Sequence, residues 1–322
     1  MMRSLYSGVT GLRSHQTRMD VIGNNIANVN TIGFKKSTTT FKDLFSQTSS
    51  YSSAPTGQIG GINAQQVGLG VAVGDIRMLH TPGAAQYTGN PLDFTIEGDG
   101  YFVIRTPETE VFSRAGNFGL DSAGNLVTAD GNFVLGYPTQ WKATEDGSQA
   151  NPPTETVYGY AEQATFDGST ASLKGIKLDA DMFYQVSVDQ TGAVVAQLRD
   201  AATAKDIGDA LGIDASADSA TLPKGTKVIV GYIALASFTN PSGLEKLGAN
   251  NYSRSQNSGT PEIGHPGDAG YGKLIGGSKE MSNVDLSEEV VDMIVTQRGL
   301  QANSRIITVS DSILEELINL KR

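Results

Sequence analysis

The first segment of the chain carries a single apolar stripe at helical spacing. Its apolar side chains recur three, four or seven positions apart, and the polar Gln16 occupies one of the gaps. This spacing repeats on one face of an α-helix, so the segment is predicted to form an amphipathic helix. The stripe consists of Leu5, Val9, Leu12, Met19, Ile22 and Ile26.

A second apolar stripe lies near the end of the chain and predicts a longer helix. The residues at its start, Asp285, Ser287, Glu288 and Glu289, suit an N-cap and a first helical turn, where side-chain acceptors and negative charge are favourable. The predicted helix has about 35 residues, which corresponds to a length of roughly 50 Å. A narrow apolar stripe on so long a helix is typical of a coiled coil. The stripe consists of Val291, Val295, Ala302, Ile306, Val309, Ile313 and Leu317.

The two predicted helices stand at opposite ends of the chain, around a middle of different composition. Residues 1–45 have a net charge of +4 and the last 44 residues have a net charge of -3, so the ends attract each other. We expect the two helices to pair through their stripes in a coiled-coil-like arrangement. The alternative is that each helix packs separately on the central domain as an ordinary surface helix.

Between the ends, the sequence has the turn pattern of a β protein. Short apolar runs alternate with Gly, Asp and Asn clusters, and Asp99-Gly100 and Asp130-Gly131 are tight-turn signals. The stretch 120–127 is echoed by 188–195 with Asp and Gly at matching offsets, which predicts two similar hairpins. The run Val228–Phe238 is the strongest candidate for a buried central strand.

These patterns predict an α+β fold with a discontinuous organisation. The predicted boundaries are 1–45 and 279–322 for a terminal helical domain, 46–70 for an extended linker and 71–278 for a mostly antiparallel β domain. The linker is nearly uncharged and rich in Ser, Gln and Gly, as flexible connectors are. Polar insertions are predicted near 140–163 and 199–224, the second with a short helix over 200–211.

The composition argues against several classes of function. The 322 residues include 24 Lys or Arg and 34 Asp or Glu, which gives a net charge of -10, and residues 46–278 account for -11. This acidic middle argues against nucleic acid as a partner. Because the chain has no cysteine, it forms no disulfide, thiolate zinc site or iron–sulfur cluster.

Neither membrane insertion nor a cleaved signal peptide is predicted. The longest strongly apolar run, 228–236, is far shorter than the roughly 20 residues that span a bilayer. The N-terminal segment mixes polar residues among its apolar ones and lacks the hydrophobic core of a signal peptide. If the chain leaves the cell, we expect another export route.

Few residue patterns indicate catalysis or metal binding. The histidines His15, His80 and His265 lack the close spacing of a metal site and are expected to be solvated on the surface. No glycine cluster has nucleotide-binding spacing, and no serine lies in a GxSxG motif. Asp179 and Asp181 are not expected to act as a catalytic pair. We predict no enzymatic activity, cofactor or metal; the alternative is a secreted β-rich binding or hydrolytic module with helical ends.

Several long motifs of the chain are similar to those of a known family. The run Met19–Lys35, with Thr40–Leu44 after it, resembles the N-terminal signature of the bacterial flagellar rod and hook proteins, and the likeness covers most of the chain. Further similar motifs are Gly98–Phe102, Ser113–Phe118, Glu280–Glu289 and Met293–Ser304. The signature residues are Asn24, Asn25, Ala27, Asn28, Thr31, Gly33 and Phe34.

The asparagines of this signature have two interpretations. Asn24, Asn25, Asn28 and Asn30 are poor helix formers followed by Gly33, which is typical of a helix end. The alternative is that some of their amides form hydrogen bonds between subunits.

Within the family, the start of the chain, the segment 58–70 and the last four residues most resemble the compact hook proteins of Gram-positive bacteria. The resemblance implies a subunit that the flagellar type III apparatus exports unfolded. Such subunits build the hook, a hollow helical tube outside the cell that transmits motor torque, with the terminal helices lining its inside. The stripe residues of both helices are therefore expected to form the subunit interface. The resemblance also implies contacts with other copies of itself and with the distal rod, hook cap and hook–filament junction proteins. The alternative within the family is the distal rod protein.

Overall fold

The computed structural model describes most of the chain. The described residues are 2–55, 60–138, 157–158, 173–179, 181–203, 206, 221–222 and 224–320. The predicted insertion at 140–163 lies outside the described residues apart from 157–158, and the one at 199–224 is described only in part. The short helix predicted over 200–211 also lies largely outside them.

Within this part of the chain, two long helices stand at either end of a series of short strands. The helices are α1 (Met2–Ala27) and α2 (Leu286–Asn319), and a 3₁₀ turn covers Pro241–Gly243. The strands are β1 (Ser37–Asp43), β2 (Ser46–Ser50), β3 (Gln65–Gly68), β4 (Val71–Met78), β5 (Ala85–Tyr87), β6 (Phe94–Glu97), β7 (Tyr101–Arg105), β8 (Glu110–Ser113), β9 (Phe118–Leu120), β10 (Leu126–Thr128), β11 (Phe133–Pro138), β12 (Val157–Tyr158), β13 (Lys174–Gly175), β14 (Phe183–Val188), β15 (Ala193–Leu198), β16 (Ala202–Thr203), β17 (Thr221–Leu222), β18 (Lys227–Ile233), β19 (Leu235–Ser237), β20 (Glu245–Gly248), β21 (Asn251–Ser253), β22 (Glu262–Gly264), β23 (Lys273–Gly276) and β24 (Ser278–Glu280). The predicted α+β class is confirmed.

The chain forms two compact units, each built from separated pieces of sequence. The helical unit contains Met1–Val29, Lys35–Leu79 and Val284–Arg322, and the β unit contains Asn30–Phe34 and His80–Asn283. The chain therefore passes between the units at 29/30, 34/35, 79/80 and 283/284. One consequence is that five residues of the N-terminal motif, 30–34, belong to the β unit.

Residues 46–70, predicted as an extended linker, carry paired strands in the structure. β2 and β3 pair antiparallel with Ser46 opposite Gly68, and β1 and β4 pair from Ser37 opposite Met78 to Asp43 opposite Val71. The polar side chains of 46–70 are solvated equally well on an exposed strand pair and in a coil, so their composition does not distinguish the two.

The β unit is built on one large sheet. Its main strand order is β14-β15-β18-β11-β7-β8-β21-β20, and neighbours along this path are antiparallel, whereas β12 joins β18 in parallel. β18 and β19 cover most of the run Val228–Phe238, and β18 lies between β15 and β11. Val228 and Leu235 are completely buried, so the predicted buried central strand is confirmed. The core beside them includes Phe94, Phe102, Leu126, Val134 and Val194.

The two echoed stretches form the same turn. The backbone N–H groups of Asp121 and Asp189 each donate to the carbonyl four residues ahead, at 3.0 Å in both. Gly124 and Gly192 each donate back to the carbonyl of that aspartate, and their φ angles are 81° and 79°. The prediction of two similar hairpins is therefore confirmed.

Candidate assembly surfaces

Within the helical unit, α1 and α2 lie against each other in opposite directions. The Cα of Gly8, early in α1, faces Ile307 and the Asn303 backbone of α2. Asn25, late in α1, hydrogen-bonds Glu289 in the first turn of α2. The two helices therefore run antiparallel along most of α1.

Glycines bring the two helices close together. A Cβ added to Gly11 would lie 2.7 Å from the Asn303 Nδ2 atom, and one added to Gly299 would lie 2.7 Å from the His15 Cε1 atom. The Asn303 side chain and the His15 ring occupy the space that these glycines leave. The contact between the helices is consequently made of small and polar residues.

The face of α2 that is turned to α1 was missed by the hydrophobic pattern. The buried residues of α2 are Glu289, Thr296 and Ser310, and Asn303 completes a row in which members recur every seven positions. Gly11, Arg18 and Asn25 recur at the same interval on α1. The seven-residue signature of paired helices is read from apolar residues, so a row of polar and small residues at this spacing gives no hydrophobic signal.

The predicted apolar stripe of α2 is open to solvent along its length. All seven positions are exposed, with Val291 at 58% and Val309 at 57% of their maximum exposure. Pairing of the two stripes with each other stays a prediction, because the α2 residues that are buried beside α1 form the polar row, and of the stripe residues Ile306 lies beside Gly8. On α1, Ile22 is buried, and the partly buried stripe positions are Leu5, Val9, Leu12, Met19 and Ile26.

Asn25 joins three elements of the helical unit. Its Nδ2 donates to the Ser37 carbonyl at 2.9 Å, and its Oδ1 accepts the Ser37 N–H at 3.0 Å. The same Nδ2 lies 3.2 Å from Glu289 Oε2. The side chain is 1% exposed, so it connects the end of α1, the start of β1 and the first turn of α2 without competition from water.

Ion pairs surround this connection. Lys36 Nζ lies 2.8 Å from Glu288 Oε2 and 3.8 Å from Glu289 Oε1, and the hydrogen bond to Glu288 raises the pKa of Lys36. Arg18 Nη2 lies 2.9 Å from Asp292 Oδ2. Asp285 caps α2 as predicted, because its Oδ1 accepts the Ser287 N–H at 2.8 Å.

The other signature residues lie at the end of α1 and in the β unit. The Asn28 side chain donates to the Asn24 carbonyl at 2.9 Å, which is a local contact at the helix end. In the β unit, Gly33 has a φ of 68°. Phe34 is buried, and the Lys246 ammonium lies 4.7 Å from its ring centroid; burial lowers the pKa of Lys246. Ala27 is exposed, and Thr31 is half-buried.

The strand pair β2–β3 and the residues beside it expose apolar side chains. Phe45 is 92% exposed and Tyr51 is 83% exposed, and the other exposed apolar residues here are Ile62, Val67 and Leu69. Together with the outer face of α2, these residues give the helical unit two apolar surfaces that its own described residues leave open.

The prediction that the histidines are solvated is wrong. His15 lies against Phe41, with ring centroids 5.5 Å apart, and His265 lies against Tyr137 at 5.0 Å. Burial lowers the pKa of both histidines. His80 Nδ1 lies 2.5 Å from the buried Tyr101 hydroxyl. All three rings therefore take part in packing.

The described residues contain no group of three or more His, Cys, Asp or Glu side chains placed to hold a metal ion. Asp179 and Asp181 lie in a turn, where the Asp181 N–H donates to Asp179 Oδ1 at 3.0 Å. Among the described residues, no helix combines the length with the apolar character that is needed to cross a membrane.

Three family models match different parts of the chain. The model for the flagellar hook protein FlgE/F/G D1 domain matches residues 95–196. The model for the flagellar basal body rod FlgEFG protein C-terminal region matches 275–320, and that for the flagella basal body rod protein matches 5–35.

Curated proteins match over the whole length. The chain is 44% identical over 323 residues to the flagellar basal-body rod protein FlgG of Bacillus subtilis, and the alignment covers all of both proteins. It is 34% identical over 441 residues to the flagellar hook protein FlgE of Borreliella burgdorferi and 32% identical over 463 residues to that of Treponema pallidum, again with full coverage of both.

Proposed function

Because the chain belongs to the family of flagellar hook and basal-body rod proteins, we propose that it is a structural subunit of the flagellar hook. In this proposal many copies polymerise helically into a hollow, flexible tube that carries motor torque to the filament. The protein acts by assembly and carries out no reaction.

The observation that carries the proposal is the exposed apolar face of α2. Large exposed apolar patches with polar surroundings mark interaction surfaces, because each Å² removed from water contributes about 25 cal/mol. Val291, Ile306, Val309, Ile313 and Leu317 are each at least 41% exposed along one helix. In a helical polymer, a second copy of this chain would cover the apolar face of α2.

The stripe residues thus become the proposed subunit interface. In the tube, the α1–α2 pair of one copy would pack through the α2 stripe on the helices of neighbouring copies, in a coiled-coil-like lining of the channel. The exposed Phe45 and Tyr51 beside β2 would add a second contact to the same neighbours.

The test is polymerisation of the Val309→Asp variant. A carboxylate in a dry apolar interface costs several kcal/mol, so we expect electron microscopy to show tubes for the wild type and none for the variant. Circular dichroism of the β unit should be unchanged. The matched control is Thr308→Asp, because Thr308 is exposed one position earlier, about 100° around the helix. Tubes from Val309→Asp would contradict the proposed interface.

A second candidate position is the distal rod. The alignment with the Bacillus rod protein needs 323 positions for the 322 residues of this chain, whereas the alignments with the hook proteins extend over 441 and 463. The rod candidate therefore rests on identity and matched length, and the hook candidate rests on the motif resemblance at 58–70 and at the chain ends.

Flagella sheared from cells distinguish the two positions. A hook subunit would be labelled by a specific antibody on the curved segment outside the cell, next to the hook cap or hook–filament junction proteins. A rod subunit would remain with the envelope fraction. Export by the type III apparatus without a cleaved signal peptide predicts that the protein isolated from flagella keeps its first residues, which mass spectrometry checks.

A further inference from the structure

A buried ion pair lies in the β unit. The Arg114 side chain is 1% exposed and the Glu280 side chain is fully buried, and Arg114 Nη1 lies 3.5 Å from Glu280 Oε2. Arg114 Nη2 donates to the Gly98 carbonyl at 2.7 Å, and the guanidinium lies 5.3 Å from the Tyr101 ring centroid. Burial raises the pKa of the neighbouring Tyr252 to about 12. In surroundings of this low polarity each charge depends on the other.

Glu280 also contacts two segments that are distant in sequence. Its Oε1 accepts the Gly83 N–H at 2.9 Å, and its backbone carbonyl accepts the Gly33 N–H at 2.8 Å. A single residue therefore holds the segments 30–34 and 80–84, while its carboxylate is held by Arg114.

Further bonds tie the same segments to each other. The Met281 N–H donates to the Ala84 carbonyl at 2.9 Å, and the Asn283 N–H donates to the Phe34 carbonyl at 3.4 Å. Asn283 Nδ2 lies 3.1 Å from Thr81 Oγ1. The three segments 30–34, 80–84 and 278–283 form one hydrogen-bonded cluster around the ion pair.

These segments are the ends of the pieces that make up the β unit. The unit consists of Asn30–Phe34 and His80–Asn283, so all four of its chain ends fall in or next to the cluster. Force that passes along the covalent chain between the two units must pass through these four ends.

We propose that the Arg114–Glu280 pair is the mechanical junction of the subunit. It holds the four chain ends of the β unit in one rigid cluster. A force that arrives at any one of these ends is therefore shared by all four, and the attached strands do not move independently. The inference rests on the proposed function, because a torque-transmitting tube is what loads these ends. Arg114 and Glu280 are positioning residues in this role.

Hydrogen exchange in the full-length monomer tests the junction. The variant is Glu280→Gln, which keeps the shape and an acceptor oxygen but removes the charge. The Gly33 and Gly83 amides should exchange about tenfold faster, while the Leu126 and Ile233 amides in the β core keep their rates. Glu262→Gln, an exposed change on β22, is the matched control and should alter none of the four. Unchanged Gly33 and Gly83 rates, or equal acceleration of all four, would overturn the proposal.

Tubes test the mechanical consequence. Glu280→Gln tubes should bend more than those of the wild type and of Glu262→Gln, seen as a shorter persistence length in electron micrographs. Equal persistence lengths would overturn the mechanical role. If Glu280→Gln does not fold, Arg114→Lys is used in its place, with the same expectations. A lysine keeps the positive charge but cannot contact Glu280 Oε2 and the Gly98 carbonyl through two separate nitrogens, as Arg114 does.

The two proposals fail in different ways. If the wild type forms no tubes, the proposed function fails, and the exchange rates of the monomer still decide whether Glu280 holds the chain ends.

Discussion

At the scale of single residues, Gly33 fixes where the signature segment lies in the β unit. Its φ of 68° is in the left-handed region. A Cβ at this position would lie 2.7 Å from the Ala115 nitrogen and 2.9 Å from the Arg114 carbonyl carbon. Both are backbone atoms, which cannot rotate away as the end of a side chain can. The position therefore excludes any residue with a side chain for two separate reasons.

Replacing Gly33 and a second glycine separates the effect of the left-handed φ from the effect of the close backbone contact. Gly33→Ala is expected to lower the free energy of unfolding of the β unit by more than the about 1–2 kcal/mol that a left-handed alanine costs, as measured by urea unfolding. Gly131→Ala is the control, because Gly131 has a φ of 80° but a Cβ there would meet nothing within 4 Å. Equal losses in the two variants would show that the close backbone contact at Gly33 has no effect.

His15 makes the helical unit sensitive to pH. Burial, and then the nearby Arg18 charge, lower its pKa below the ordinary 6.5. The unfolded chain then binds more protons than the folded one, so stability decreases as the pH falls below about 6.5. Thermal melting of the helical circular dichroism signal should shift to lower temperature between pH 7 and pH 5.5. The shift should be smaller in His15→Gln; the same shift in both would rule out His15 as the source.

At the scale of elements, α2 has two faces with different uses. The polar row at Glu289, Thr296, Asn303 and Ser310 packs on α1, and the residues of the apolar stripe are exposed. A helix is marginal in water unless a face is buried. The part of α2 after Ser310 contains no buried residue among those the structure describes, so its stability in the monomer is low.

A glutamate-specific protease reports on this difference along α2. In the monomer, cleavage after Glu315 and Glu316 should precede cleavage after Glu288, which is also exposed but lies in the capped first turn. In assembled tubes all three sites should be protected. Equal cleavage rates at both ends of the monomer's helix would contradict the expected gradient.

The sequence predicts elements well where the chemistry is local. The turns at Asp121–Gly124 and Asp189–Gly192 are fixed by one aspartate and one glycine each, so their pattern can be read directly. The helix start at Asp285 is local in the same way. The α1–α2 contact is not, because glycine and asparagine carry no hydrophobic signal and become recognisable only through a partner helix elsewhere in the chain.

At the scale of the whole molecule, motifs locate the family but not the division of the chain. The run Met19–Lys35 resembles one continuous N-terminal signature, yet 30–34 belongs to the β unit and the flanking residues belong to the helical unit. That assignment depends on the contacts of Gly33 and Phe34 with residues some 80 to 250 positions later, such as Ala115 and Glu280. No local pattern within the signature contains this information.

The discontinuity of the helical unit also sets the order of events during folding. Asn25 and Glu289 are 264 residues apart, and Arg18 and Asp292 are 274 apart. Contacts of such high sequence separation form late, because the entropy of closing the intervening loop is lost before the contact forms. A chain still being synthesised has α1 but not yet its partner. The apolar surface of α2 thus comes into existence only after residues 286–319 have been made, and shorter chains cannot take part in assembly through it.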